Sequence, residues 1–157
     1  MAFCAWDGGY LPTEAEWNYA ASGGGEQRAY PWSVPATSTL IDGAHASYKD
    51  GKDCVGDGMG GCALTDLTQV GSKPAGDGRW GQSDLAGNVV EWTLDLAGAY
   101  PTPCLNCANL STSDMRTSRG GSFSDAATWL RSGIRDPYLI YPTDRASVFG
   151  VRCARAP

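Results

Sequence analysis

Apolar residues recur at helical spacing in only two stretches of the chain, both near its start. Phe3 and Trp6 lie three apart and Gly8-Gly9 follows, so 1–7 is predicted to be the last turns of a helix. A second helix is better marked. Thr13 stands as N-cap with Glu16 three residues on, a capping-box pair, and Pro12 brings the chain in extended. Trp17, Ala20 and Ala21 then share one face, and Gly23-Gly24-Gly25 ends the element. From 30 to 80 no period holds. Turn signals recur instead at Asp50-Gly51, Asp57-Gly58, Gly60-Gly61 and Asp77-Gly78. A stretch this irregular needs a tether, from cysteines or an ion, because it buries too little apolar surface to order itself. β-branched and aromatic content predicts a strand at 88–94, with shorter ones at 118–123, 130–134 and 148–153. The expected class is α+β: one or two early helices, then short antiparallel strands and long irregular loops.

Composition narrows the function classes. A chain of 157 residues with 42% apolar content suits one domain over 1–157, and 21 Gly with nine Pro agree with a loop-rich fold. The net charge is −5 and the 12 basic residues are scattered, which argues against nucleic acid as a partner. No apolar run approaches the ~20 residues that span a bilayer, so no membrane insertion is expected. The first residues lack the basic and apolar regions of a signal peptide. Single His45 leaves no histidine pair for a metalloprotease, and Asp57-Gly58 lacks EF-hand spacing.

Six cysteines, at 4, 54, 62, 104, 107 and 153, point to disulfides and an exported protein in an oxidising compartment. The rival arrangement is a zinc cage of Cys54, Cys62, Cys104 and Cys107, although the first gap is wider than such sites use.

Four separated strings carry a resemblance. They are Phe3-Cys4-Ala5-Trp6 with Leu11-Pro12-Thr13-Glu14-Ala15-Glu16-Trp17 and Tyr19-Ala20-Ala21; Trp80-Gly81-Gln82-Ser83-Asp84-Leu85-Ala86-Gly87-Asn88-Val89-Val90-Glu91-Trp92; Arg119-Gly120-Gly121-Ser122-Phe123; and Gly150-Val151-Arg152-Cys153. In this order the chain resembles the formylglycine-generating-enzyme, or sulfatase-modifying-factor, family. The resemblance implies a C-type-lectin-like fold and an N-terminal portion that would precede Phe3. It also implies a structural calcium held by Asp84 and Glu91 with the carbonyls of Leu85, Gly87 and Val89. Hard oxygen donors around a glycine turn suit an ion that takes about six to eight oxygens. The family's pairing would join Cys4 to Cys153, leaving Cys54–Cys62 with Cys104–Cys107 or a crossed set.

The family's oxidase chemistry uses two cysteine thiolates on copper(I), placed shortly after the Arg-Gly-Gly-Ser string. Aligned from the glycines, Asp125 and Leu130 occupy those positions, and neither replaces a thiolate. Copper is therefore not expected, and the chain reads as a non-catalytic module binding a protein, peptide or glycan through loops at 95–116 and 124–145. The alternative is an oxidoreductase converting a sulfatase cysteine to formylglycine, with Cys104 and Cys107 as its thiols. A further alternative is a hypervariable display protein of a diversity-generating retroelement, varying at Ser124, Asp125, Tyr138, Tyr141 and Asp144. Trp92 and Trp129 are expected in the core rather than in a groove.

Overall fold

The computed structural model describes residues 2–103, 107–111, 113–135 and 140–156. Helix α1 covers Ala2–Trp6 and α2 covers Glu14–Ala21. Thr13 Oγ1 accepts the Glu16 N–H, and Glu16 Oε2 accepts the Thr13 N–H, so the capping box forms as the spacing predicts. Trp17 and Ala21 are buried and pack on Leu85, while Ala20 is partly buried against them.

Two small sheets follow. β1 (Lys49–Asp50) and β2 (Asp53–Cys54) form a hairpin. β3 (Val90–Leu96), β4 (Arg116–Arg119) and β5 (Phe149–Val151) form a three-stranded sheet in the order β4-β3-β5. β3 pairs antiparallel with β4, with Glu91 opposite Arg119, and parallel with β5, with Glu91 opposite Gly150. The expectation of antiparallel strands throughout is thus corrected at β5, which enters the sheet after a long return from β4. The strand expected at 130–134 is absent; Ala127–Leu130 is a turn of 3-10 helix instead. Leu130 is drawn fully inside against Tyr30, Ala46, Tyr48 and Ala86, which a half-exposed strand would not permit. The strand expected at 118–123 stops at Arg119, because Gly120 and Gly121 take φ of +96° and +67°. A Cβ on Gly121 would lie 2.7 Å from Leu130 Cδ1, so that glycine is what lets Leu130 close the core.

β3 carries its polarity inverted. Glu91, Thr93 and Asp95 are buried, whereas Trp92, Leu94 and Leu96 on the opposite face are half-exposed. The buried groups are satisfied individually. Glu91 accepts from Trp17 Nε1, Thr93 bonds Thr117, and Asp95 accepts the backbone N–H of Glu14 and of Asn109.

The irregular region has two tethers. Cys54 is disulfide-bonded to Cys62. The carboxylate of Asp66, 1% exposed, accepts from the N–H groups of Gly56, Asp57 and Ala63, and so gathers the loop round itself. Cys4 is joined to Cys153, with Cα atoms 5.3 Å apart, and the backbone of Tyr10 pairs with that of Ala154, so the first and last segments lie side by side. Among the described residues, no helix is long and apolar enough to cross a membrane.

Candidate functional site

The positions expected to hold oxidase thiolates both serve the scaffold. Asp125 Oδ2 accepts from the Ser122 N–H at 2.8 Å and from Ser122 Oγ at 2.7 Å, while its carbonyl accepts the Lys49 N–H. It thereby fixes the turn after the glycine pair and ties it to β1. Leu130 is 0% exposed in the main apolar cluster. An open metal or a substrate thiol would need access there, and a core leucine provides none. Cys107 is disulfide-bonded. Cys104 and Tyr138 lie outside the described residues.

The Asp84–Glu91 turn has a left-handed backbone at Asp84 (φ +56°), Gly87 (+78°) and Asn88 (+63°), a geometry that turns the chain sharply. Only glycine fits at position 87, where an added Cβ would stand 2.2 Å from the Ser47 carbonyl. Asp84 Oδ2 accepts the Gly71 N–H at 2.7 Å. Glu91, 4% exposed, is held by Arg152 through Nε to Oε2 (3.0 Å) and Nη2 to Oε1 (2.8 Å), besides the bond from Trp17 at 2.7 Å. Arg152 Nη2 also donates to the Ser83 carbonyl. A carboxylate offers about four lone-pair sites, and three of those on Glu91 face N–H donors. One remains, on Oε1. The oxygens that a calcium would draw on here are those of Asp84, the carbonyls of Leu85, Gly87 and Val89, and at most one from Glu91, hard donors in type, although among the described residues no three acidic, histidine or cysteine side chains gather as a metal site.

A second buried ion cluster escapes a reading of local sequence. Glu14 is 0% exposed. Its carboxylate accepts from Arg119 Nε at 2.7 Å, from Arg135 Nε and Nη2, and from the Tyr100 hydroxyl at 3.1 Å. Burial pushes the Glu14 carboxyl upward, but the hydrogen bond from Arg135 and the charges of both guanidinium groups outweigh it, leaving the group below its ordinary range. Arg119 spends its remaining donors on the Ser132 and Ile134 carbonyls and on the Tyr100 hydroxyl. Every N–H of that guanidinium is engaged, so it anchors the fold and offers nothing to a ligand. A cavity of about 390 Å³ lies over this cluster, walled by Glu14, Asn18, Tyr19, Gln27, Tyr100 and Arg119. The signal available in sequence was only that Glu14 and Arg119 each belong to one of the strings that carry the family resemblance.

Neither tryptophan is a core residue, which corrects the place expected for both: Trp92 is half-buried against the Phe149 ring at 5.4 Å and lines a cavity, and Trp129 is 44% exposed.

Glycine turns, a small mixed sheet and buried carboxylate–arginine clusters characterise a formylglycine-generating-enzyme type of fold. The whole chain, residues 1–157, matches the sulfatase-modifying factor enzyme 1-like domain, and the protein belongs to that family. It is 37% identical over 159 residues to the inactive C-alpha-formylglycine-generating enzyme 2 of Mus musculus, covering 98% of this chain and 45% of that protein. It is 32% identical to the formylglycine-generating enzyme of Mus musculus, covering 98% of this chain and 41% of that one. The hercynine oxygenase of Mycolicibacterium thermoresistibile is also 32% identical, with coverage of 98% and 33%. The chain thus spans less than half the length of these relatives. Among solved structures, Treponema denticola variable protein 1 superposes with a TM-score of 0.68 at 28% identity, over 94% of this chain and 47% of that one. PvdO from Pseudomonas aeruginosa shares the fold, with a TM-score of 0.72 at 24% identity over 96% of this chain and 56% of that one.

Proposed function

We propose that this chain is a non-catalytic ligand- or protein-binding module on a formylglycine-generating-enzyme scaffold, stabilised by calcium and exported to an oxidising compartment. The observation that carries the reading is Leu130: where the oxidase chemistry needs a reachable thiolate, a fully buried leucine closes the core. Similarity to a relative named as inactive supports it, and the disulfides support export. Similarity to the active enzymes and to hercynine oxygenases makes the direct test necessary. Offered a cysteine-containing sulfatase peptide with copper and oxygen, the protein is expected to leave the thiol unchanged by mass spectrometry. Conversion to the aldehyde would overturn the reading.

Calcium at Asp84, Leu85, Gly87, Val89 and Glu91 belongs to the same proposal. Protein purified without chelators is expected to carry about one calcium per chain and neither copper nor zinc. Saturating calcium at about a hundred times its dissociation constant should add about 2.7 kcal/mol over the chelated protein. Asp84→Asn should shrink that difference, and an unfolding midpoint indifferent to chelator would remove the site.

A second reading, a display surface of variable residues, draws on the similarity to Treponema denticola variable protein 1. Exposed Tyr141 and Asp144 suit variation, whereas Asp125 is committed to Ser122. Near-identical template repeats beside the gene would favour it, and their absence would discard it.

A further inference from the structure

The apolar face of β3 is only partly covered. Against it lies a cavity of about 510 Å³ walled by Phe3, Leu11, Trp92, Arg116, Arg145 and Val151, together with Pro142. Leu11 forms a closed floor at 4% exposure, while Phe3 and Val151 remain 56% and 42% exposed. The Trp92 ring packs on that of Phe149, with 5.4 Å between centroids and a tilt of 59°. The volume is that of sites which take small organic molecules, usually apolar walls with a few placed polar groups.

Its electrostatics are selective. Among the described residues of the wall, both charged side chains are arginines, in a chain whose net charge is −5. Arg116 is fixed by a bond from Nη1 to the Leu94 carbonyl. Arg145 is exposed and forms no ion pair among the described residues; the neighbouring carboxylate of Asp144 accepts the Tyr141 N–H instead. An unpaired guanidinium at the mouth of an aromatic pocket favours an anionic head, and the Phe3 and Trp92 rings favour a flat apolar body.

We propose that this concavity between α1 and the β3–β5 face is a binding site for a small apolar anion, an aromatic ring system bearing one carboxylate or sulfonate. The assignment rests on the reading of the chain as a binding module and gives it a ligand class. Arg145 draws the acidic group, and the ring lies between Phe3, Trp92 and Val151.

Anilinonaphthalene sulfonate has this chemistry and serves as the probe. Titrated into the folded protein, with native near-UV circular dichroism as the control, it is expected to bind saturably at one site with blue-shifted emission. Arg145→Glu and Val151→Asp change exposed positions, should keep the native spectrum, and should each weaken binding at least tenfold. Absence of saturable binding, or an affinity in either variant unchanged from that of the parent protein, would overturn the proposal. So would loss of probe binding at high protein concentration as a dimer appears in sedimentation, which would assign the face to a second copy. Failure here leaves the peptide-oxidation test untouched, and aldehyde formation there leaves probe binding untouched, so the two readings fail separately.

Discussion

Glu14→Gln is expected to cost about 3–5 kcal/mol, because it leaves a buried guanidinium without its counter-charge. Arg119 is 2% exposed, and glutamine would keep the shape of the site while withdrawing the charge. Against a typical domain stability of about 5–15 kcal/mol this loss is large, and the urea midpoint reads it directly. The same carboxylate predicts an acid limb. Its folded pKa lies below the ordinary value, since Arg135 and Arg119 outweigh the upward push of burial. A depressed folded pKa means that the stabilisation is fully present above the unfolded value of about 4.3 and is lost as pH falls through the folded one. Urea midpoints measured from pH 7 down to pH 3 should therefore fall more steeply in the parent than in Glu14→Gln. Parallel curves would show that the cluster is electrostatically idle.

Replacing Cys4 and Cys153 together by alanine should cost up to about 5 kcal/mol on the chain-entropy account, since their bond closes a loop with a separation of 149 residues. For a chain of this size that corresponds to a melting temperature lower by on the order of 10 °C or more. The control is Cys54 with Cys62, a separation of 8, for which the same account gives about half the loss. Calorimetry of the two double variants tests the order. Equal losses, or a greater one at the short loop, would refute the account.

Local chemistry was legible where a few neighbouring residues decide the structure. The capping box and the Trp17–Ala21 face of α2 are of this kind, since three or four positions fix both. β3 was found from its β-branched and aromatic residues but begins at Val90 rather than at 88, because Asn88 is held in a turn with φ +63°. Alternation could not reveal which face of β3 is inside, because Glu91, Thr93 and Asp95 are buried through partners far away in sequence. Arg152 reaches Glu91 across 61 residues and Arg135 reaches Glu14 across 121, and no local spacing encodes either. The same holds for Asp66, which reads as one acid among many and proves to be the tie of an entire loop. Leu130 reads in sequence only as a residue nine positions after Gly121, and that it is a core residue follows only from Gly121 making room for it.

The Cys4–Cys153 bond also settles how the molecule would meet mechanical load. Tension that pulls Cys4 and Cys153 apart passes from α1 straight into the residues after β5 through one covalent bond, and the polypeptide between them stays slack. The sheet and both ion clusters begin to carry force only after that bond is reduced, so the redox state of the surroundings sets whether the domain behaves as a rigid link or as an extensible one.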